Sequence, residues 1–479
     1  MIPPHSLIGT LSKHQRVFEK VLGAVPASVE QFWTNLHSSA EGRHLFEEHK
    51  QLIGKTPADL RHTLPLTIHQ DAGPYAKHRS VEEVSWSSCL GKGSEIECKF
   101  ISFTFLKERK AEAMQREPNR AWSRFIDSVT LMEEGVHSPG STLANEPIAL
   151  DSHGVVWKAI VLFGKADGEQ AIAWGLKSHA DPDEMCGYCL ANRSSRPYTC
   201  LREDASWQTT EIGNTIAFAS RLRRPHHPLV DAIFFTFWFV RLEIMHLLDC
   251  KGVWSILAGS VLWLLVHREA RLGGSIDARL KIINQKKQKW YTDHAVCNRM
   301  PNIKEHNILT SDWAELGGPA IKAANTRSLL PFIGALAVEF FDSGSIYHKS
   351  IKKVLGAANE MVNILYSSDM FLLDAQKQAF RTQVATFGKH FQLCQSIASA
   401  DGTPLWHLTP KVHQTLHLPR QCELINSRFV QAYAEESLVG VIAKIWHASA
   451  HGGYMTKVQH TVCVKYLVGL NLKLETQLE

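Results

Sequence analysis

The segment from Val155 to Cys189 constrains the fold of this chain more than any other. It opens with VVWKAIVLF, a short apolar run rich in β-branched residues that ends at Gly164, which predicts a buried strand. Asp167 follows where the predicted strand gives way to the helix-like segment GEQAIAWGLK. A carboxylate at a strand end is held by rigid backbone at an open sheet edge, and this position suits metal binding.

Sulfur and nitrogen ligands suggest a second metal site. Cys186-Gly-Tyr-Cys189 has the Cys-x2-Cys spacing of half a tetrahedral zinc site. Because a spacing of four places two imidazoles on one helical face, a His-x3-His pair could supply the other half. The chain contains two such pairs, His413/His417 and His447/His451. Buried thiols and a polar helix face are the alternative interpretations of these patterns.

Composition places the chain among globular proteins with a stable core. Its 479 residues are 44% hydrophobic and 21% charged, and the formal net charge of +5 is compatible with a polyanionic partner. The ten cysteines are scattered and no apolar leader is evident, so we expect a reducing compartment, nuclear or otherwise intracellular. The most apolar runs, Ala232–Val240 and Gly252–Val266, are too short to span a bilayer and predict buried core helices.

The first third of the chain predicts helices followed by a sheet. Residues 1–60 show helical spacing, and a strand from Leu64 is expected to end at Asp71, before a turn at Gly73-Pro74. Two antiparallel strands are predicted within 80–88 and 97–107, joined through Gly91-Lys-Gly93. Helical spacing then covers 107–135, interrupted by Pro118, and the strand that precedes Asp167 follows.

The remainder of the chain is predominantly helical in pattern. Residues 229–400 predict a helical insertion, with amphipathic segments around 327–341, 346–367 and 372–397. From Leu408 the pattern changes: Glu435 and Glu436 open a helix that runs to about Ala450, and an amphipathic segment from Lys457 to Leu474 closes the chain.

Basic residues offer contacts to an anionic partner. The candidates for phosphate contacts are Arg193, Arg196, Arg202, Arg223, Arg224, Lys286 and Lys287. Such clusters are more commonly solvated surface, so they add to a nucleic-acid hypothesis without establishing one.

The order of these features resembles a group of cut-and-paste transposases, the CACTA, KDZ and Transib types, together with the recombinase core of antigen-receptor gene assembly. The shared order is Asp71, Asp167, Cys186-x2-Cys189, His413-x3-His417 and Glu436. LTIHQDAGPY followed by SVEEVSWSS is also similar to the Asp-Gly-x-x-Pro-Phe and Ser-x-Trp-Pro motifs that open this domain. Ala72 stands where those families usually have glycine.

The resemblance implies a ribonuclease-H-like α/β core with a mixed sheet and a large all-helical insertion. It implies that Asp71, Asp167 and Glu436 hold two catalytic Mg²⁺ ions, with Glu435 as the alternative third carboxylate. It also implies a structural zinc ion on Cys186, Cys189, His413 and His417 that ties the segment after Asp167 to the segment before Glu436. DNA is the expected partner, a homodimer is left open, and no membrane is expected.

The expected organisation is a helical segment (1–60), the first part of the core (61–190), the helical insertion (191–407) and the rest of the core (408–479). An active DNA transposase or nuclease is the leading hypothesis. A domesticated or degenerate copy that keeps the zinc and binds nucleic acid or protein without catalysis is the second. An unrelated helical interaction protein with coincidental motifs is the third.

Overall fold

The chain folds into two compact units. A computed structural model describes residues 1–92, 97–106, 116–176, 181, 183–222, 224, 226–309, 312–450 and 455–475. Unit 1 consists of Met1–Leu176, Gly213–Arg241 and Phe429–Glu479, and unit 2 consists of Lys177–Ile212 and Leu242–Arg428. Unit 2 is therefore inserted into the sequence of unit 1.

Unit 1 contains the sheet. The strands in chain order are β1 (Thr63–Ala76), β2 (Arg79–Ser88), β3 (Phe100–Leu106), β4 (Ala149–Leu150), β5 (Val156–Ala166) and β6 (Val240–Leu242). Their order across the sheet is β3-β2-β1-β5-β4, and β6 also pairs with β5. β1 is antiparallel to β2 but parallel to β5, and β2 is antiparallel to β3. The chain therefore has a mixed-sheet α/β fold, as the sequence predicts.

Helices surround the sheet in unit 1 and form the body of unit 2. In chain order they are α1 (Pro4–Leu11), α2 (Gln15–Leu22), α3 (Pro26–Ser38), α4 (Ala40–Glu48), α5 (Arg116–Glu134), α6 (Gly168–Ala173), α7 (Thr215–Ser220), α8 (Val253–His267), α9 (Ile276–Asp293), α10 (Glu305–Ile308), α11 (Ala323–Phe340), α12 (Ile346–Ser367), α13 (Asp374–Ala400), α14 (Pro410–Thr415), α15 (Leu418–Cys422), α16 (Tyr433–Ser449) and α17 (Met455–Glu475). The predicted amphipathic segments correspond to α11, α12, α13 and α17.

Both faces of the sheet are covered. Nearly every residue of β2 and β5 is buried, whichever face its side chain is on. This explains why β2 alternates only weakly in hydrophobicity, since a strand buried on both faces has no solvent side to mark with polar residues. Two of the buried polar side chains of β2, Glu83 and Ser87, belong to a polar layer described below.

The predicted end of β1 at Asp71 is wrong. The strand continues through Gly73 and Pro74 to Ala76, and the chain turns at His78, whose φ is 61°. Pro74 lacks a backbone donor, but the pairing register shifts between Pro74 and Ala76, and such an irregularity accommodates a proline within a sheet. Asp71 therefore lies inside a paired strand.

The predicted helix over Ala232–Val240 is also wrong. This segment contains turns and leads into β6 at Val240. Its rings pack against one another, with centroids 5.6 Å apart for Phe234 and Phe239 and 5.4 Å for Phe235 and Phe239. A short apolar run has no period that separates helix from other buried structure, and here aromatic packing decides the conformation.

Two smaller expectations near β3 have different outcomes. Pro118 does not interrupt α5 but lies in its first turn, where a helix needs no backbone donor. Gly93, in the predicted Gly91-Lys-Gly93 connection, lies outside the described residues, although β2 and β3 do pair in the predicted antiparallel sense.

The predicted 1–60 segment packs as part of unit 1. Trp33 of α3 donates from Nε1 to the carbonyl oxygen of Thr63 over 2.8 Å, and His49 Nε2 lies 2.9 Å from the carbonyl oxygen of Val161. Both acceptors are strand residues, so the N-terminal helices are anchored to β1 and β5. The unit boundaries at Leu176 and Arg428 also differ from the predicted boundaries at 190 and 407.

One segment of the described chain, Met245–His267, is long and apolar enough to cross a membrane by length and composition alone. It contains α8, and 78% of its apolar 18-residue window is buried inside the protein. All but two residues of α8 are buried, on every side of the helix. A helix that is apolar all round and enclosed by protein is typical of a core helix, as predicted for Gly252–Val266.

Gly73 provides a test of the packing between β1 and α16. A Cβ at this position would lie 2.6 Å from Val439 Cγ1, and the β-branched valine cannot easily move aside. We expect Gly73→Ala to lower the free energy of unfolding by about 1–3 kcal/mol. Chemical denaturation checks this, with Gly440→Ala as the control, because a Cβ at Gly440 in the middle of α16 meets nothing within 4 Å. Equal stability of the two variants would contradict the close approach.

Candidate functional site

Two of the predicted acids lie on neighbouring parallel strands. Gln70 of β1 pairs with Ala166 of β5, so the residues that follow them, Asp71 and Asp167, are adjacent at the same level of the sheet. Asp167 begins α6 as its N-cap and accepts a hydrogen bond from the Gln170 amide over 2.7 Å. Asp71 is buried, and its Oδ1 accepts from the Ala72 amide over 2.6 Å.

The third predicted acid reaches the same place from a helix. Glu436 lies in the first turn of α16, and its carboxyl group is hydrogen-bonded to that of Asp71. Burial, followed by this hydrogen bond and the charges of Glu436 and Asp167, raises the pKa of Asp71 to about 9. Two carboxyl groups that share a hydrogen bond hold a proton between them because both cannot ionise cheaply at contact distance. The structure thus brings Asp71, Asp167 and Glu436 together.

The adjacent Glu435 has a different environment. It is fully buried, and one of its oxygens lies 2.7 Å from Lys165 Nζ and 3.0 Å from Lys99 Nζ. These two ammonium groups lower the pKa of Glu435 against the opposing effect of burial, which is the largest single influence. Of the two glutamates that the sequence leaves open, Glu436 is therefore the one that lies with the aspartates.

Lys99 and Lys165 are site residues that sequence reasoning missed. Lys165 follows Gly164, where the predicted strand ends, whereas β5 continues to Ala166 and buries the lysine, so nothing in the sequence indicated this burial. Lys99 precedes β3 and gives no indication either. What the cluster can do follows from its atoms: converging carboxylate oxygens are the ligands that hard divalent cations such as Mg²⁺ prefer.

The predicted sulfur and nitrogen ligands form a second cluster, which lies within unit 2. Cys186, Cys189, His413 and His417 are all buried, and their ligand atoms lie within 4.8 Å of one another. The separations are 3.5 Å from Cys186 Sγ to His417 Nε2, 3.3 Å from Cys189 Sγ to His413 Nε2 and 3.3 Å between the two Nε2 atoms. This group could hold a metal ion.

Local structure explains how the four side chains meet. The cysteines lie in an irregular segment, where the amide of Tyr188 donates to Cys186 Sγ over 3.4 Å. His413 is in α14, and His417 is the residue that precedes α15. The ring of Trp207 packs edge-on against both imidazoles, with centroids 4.4 Å from His413 and 5.3 Å from His417. Both arms of the cluster are therefore held inside unit 2.

Glu211 orients one of the histidines and was also missed by sequence reasoning. Its Oε1 lies 2.8 Å from His417 Nδ1, which leaves Nε2 directed at the cysteines. Burial lowers the pKa of His417, but the Cys186 thiolate and Glu211 outweigh it and raise that pKa to about 9. A carboxylate on the outer nitrogen is the usual partner of a metal-binding histidine, because it fixes the tautomer. Nothing in the sequence around Glu211 marks this role.

One residue of the alternative histidine pair lies within the described structure. His447 is on α16 in unit 1, where its Nδ1 lies 2.9 Å from the carbonyl oxygen of Tyr75. His451 lies outside the described residues.

The predicted phosphate contacts have mixed environments. Arg193, Arg202 and Arg224 are exposed and Arg196 is half-buried, whereas Arg223 lies outside the described residues. Arg202 pairs with exposed Asp204 over 3.1 Å. Lys286 pairs with Glu339 over 2.6 Å at the surface.

Lys287 is buried and does not lie at the surface as its predicted phosphate contact requires. Its side chain points into unit 2, where Nζ donates to Asn284 Oδ1 and to the carbonyl oxygen of Pro301, and burial lowers its pKa to about 8. Helix α9 turns about 100° per residue, and here this turn directs Lys286 to the surface and Lys287 to the interior. Lys287 is therefore not available to a phosphate.

Comparison with known proteins adds no relative. No protein-family model matches the chain, and no curated protein matches it.

The pKa of Asp71 leads to a prediction about stability and pH. The folded protein keeps a proton on Asp71 up to a pH of about 9, whereas the unfolded chain releases it near the ordinary value of 3.8, so the free energy of unfolding falls as the pH rises between these values. Asparagine has no such proton, so the Asp71→Asn variant should not show this fall in the free energy of unfolding. Without added divalent cations we expect it to stabilise the protein by about 1–3 kcal/mol at pH 8 and by little near pH 4.

Urea denaturation across this pH range measures the effect. Asp127→Asn, at an exposed position on α5, is the control and should show no pH-dependent gain. Destabilisation by Asp71→Asn at every pH would show that the carboxyl group is not under the strain described.

Proposed function

We propose that this protein acts on DNA by metal-dependent hydrolysis or transfer of a phosphodiester, as a transposase-like enzyme with a ribonuclease-H-like core. The observation that carries the proposal is the convergence of Asp71, Asp167 and Glu436 from β1, the end of β5 and α16. Strand order supports it, since an antiparallel β1-β2-β3 set beside a parallel β5 is the arrangement expected for such a core.

The donor set suits magnesium. Three carboxyl groups crowd together, and burial, followed by the neighbouring carboxyl groups, raises the pKa of Asp71. Two Mg²⁺ ions bound there would activate a water or a 3′-hydroxyl and stabilise the leaving oxygen of the phosphodiester. The protein's own contribution is to hold the carboxylates on two strands and a helix, whose rigid backbones limit their movement.

Each carboxylate has a definable task. Asp167 keeps one oxygen in the N-cap hydrogen bond of α6, and this bond fixes the orientation of its carboxylate. Asp71 and Glu436 share a hydrogen bond that must break as cations bind, so cation binding releases the proton they hold. We therefore expect cation affinity to rise with pH through the neutral range.

We propose that the Cys₂His₂ cluster binds a structural zinc ion. Tetrahedral zinc with Zn–N near 2.05 Å and Zn–S near 2.3 Å places two nitrogens about 3.3 Å apart and nitrogen and sulfur about 3.5 Å apart. The observed separations of 3.3 Å and of 3.3–3.5 Å fit these values. Four protein ligands leave no open position, so the ion would stabilise the fold and would not take part in the chemistry.

The zinc would act within unit 2. Two ligands come from Lys177–Ile212 and two from Leu242–Arg428, so the ion would join the short first segment of this unit to its helical body. Coordination would then contribute to the folding free energy of a unit assembled from two separate stretches of chain. DNA contacts are proposed for the exposed Arg193 and Arg202 of this unit, with affinity that falls as salt is raised.

Elemental analysis tests the zinc site. We expect about one zinc ion per chain and its loss in Cys186→Ser, with destabilisation by chelators. Glu211→Gln should weaken zinc binding by about 10–100-fold because the imidazole loses its anionic partner. Cys394→Ala and Glu315→Gln are matched controls: Cys394 is a buried thiol outside the cluster, and Glu315 contacts another histidine, His407, over 2.7 Å. Zinc-free purified protein would contradict the assignment.

A plasmid-nicking assay tests the activity. With Mg²⁺ present, we expect wild-type protein to nick DNA and expect Asp71→Asn, Asp167→Asn and Glu436→Gln each to reduce the rate by about 100-fold or more. Asp127→Asn should retain the rate. Equal cleavage by the aspartate variants would refute the assignment. Bound zinc and salt-sensitive DNA binding without nicking by wild-type protein would instead identify a non-catalytic descendant.

A further inference from the structure

The interface between α16 and the sheet is polar next to the carboxylate cluster. His69 of β1 pairs with Lys165 of β5 in the strand register, one step of two residues from Asp71 and Asp167 along the same face. His69 Nδ1 lies 3.4 Å from Glu83 Oε1 of β2, and both side chains are buried. Helix–sheet interfaces are normally filled by apolar side chains, so charge at these positions requires an explanation.

Lys165 and Glu435 form the centre of this polar layer. Their side chains are 2% and 1% exposed, and Lys99, at 15% exposure, reaches the same glutamate oxygen. Lys99 also donates to Ser87 Oγ over 3.2 Å. The ion pair is therefore almost wholly withdrawn from water, with two cations facing one anion.

Stability alone does not account for such a pair. Desolvating two charges costs about as much as their attraction returns, and apolar side chains of similar volume would serve equally well. A buried ion pair is better explained when it favours one packing of two elements over another packing of similar energy. Such an alternative packing exists here, because α16 begins with two adjacent glutamates that differ in direction by about 100° around the helix.

The lysines distinguish between these glutamates. In the observed arrangement Glu435 meets Lys165 and Lys99, and Glu436 meets Asp71. Rotating α16 by one residue would bring Glu435 toward the aspartates, but it would leave Lys165 buried without an anion. An unpaired buried charge is strongly unfavourable, so the rotated arrangement is excluded.

We propose that the Lys165–Glu435 ion pair, supported by Lys99, is a positioning device that sets the rotation of α16 and so selects Glu436 as the third metal-binding carboxylate. The inference rests on the proposed function, because it concerns the geometry of the same cation site. Neither lysine is proposed as a cation ligand, and both act through Glu435.

The experiment separates positioning from folding by replacing both partners at once. Lys165→Met combined with Glu435→Met removes the pair without leaving a buried charge on either residue. Urea denaturation gives the stability of the zinc-loaded protein, and Mn²⁺ titration gives its cation affinity, since Mn²⁺ prefers the same oxygen ligands as Mg²⁺. We expect the double variant to keep the wild-type unfolding midpoint and to bind Mn²⁺ at least tenfold more weakly.

A second pair is the matched control. Lys55 and Glu133 are 2.8 Å apart in the same unit but are partly exposed. Lys55→Met combined with Glu133→Met should leave Mn²⁺ affinity unchanged. Lys99→Met, which keeps Lys165 and Glu435 paired, provides a milder variant if the buried double variant does not fold, and it should weaken Mn²⁺ binding about threefold.

The outcomes are distinct. A folded double variant, or a folded Lys99→Met variant, that binds Mn²⁺ as tightly as wild type overturns the positioning role and leaves the proposed function intact. Wild-type protein that binds no Mn²⁺ at the carboxylates, with Asp167→Asn indistinguishable from it, overturns the proposed function and this inference together. Weaker binding in the Lys55 and Glu133 control would show that the loss reflects ion-pair removal in general.

Discussion

Parallel pairing between β1 and β5 is the constraint on which the carboxylate cluster depends. The two strands are far apart in sequence, and only their hydrogen-bonded register makes Asp71 and Asp167 neighbours. β1 continues beyond Asp71 and remains paired with β2 there. Asp71 therefore lies within a hydrogen-bonded strand and not at its free end. Helix α16 then needs to supply only one side chain to complete the cluster, and its close approach to Gly73 brings it near enough to do so.

The carboxylate cluster brings like charges together, whereas the polar layer beside it pairs opposite charges. Asp71 and Glu436 share a proton at the cost of a strongly raised pKa at Asp71. In the neighbouring layer burial also disfavours charge, since it lowers the pKa of Lys165 and raises that of Glu83, but Lys165 is paired with Glu435 and Glu83 lies beside His69. A carboxyl group with a raised pKa beside a paired network is the arrangement expected of the proposed cation site.

The sulfur and nitrogen cluster differs from the carboxylate cluster in the type of its ligand atoms. Its four ligands are soft or borderline donors, enclosed by protein and supported by the Glu211 carboxylate. From the sequence, zinc was expected to link the two halves of the sheet-bearing core, but all four ligands belong to unit 2. The cluster therefore organises the inserted unit itself, where it joins a segment containing few helices to a helical body.

Local patterns were sufficient for some features of this chain. Hydrophobic periodicity predicted α11, α12, α13 and α17, since a helix with one buried face must repeat its apolar residues at helical spacing. The two aspartates, the cysteine pair and both histidine pairs were visible as residue types at particular spacings, which is why they could be proposed as ligands without coordinates. The same patterns could not decide between Glu435 and Glu436, nor between the two histidine pairs.

Tertiary structure decided these choices because each depends on residues distant in sequence. Lys99 and Lys165 form ion pairs with Glu435, and Glu211 orients His417. Pairing with β2 extends β1 past the expected turn. The aromatic run around Phe234–Phe239 also makes a distant contact, since the Phe239 ring packs against Trp174 at a centroid distance of 5.7 Å. The sequence thus determined which chemical groups this protein has, whereas long-range packing decided which of them meet.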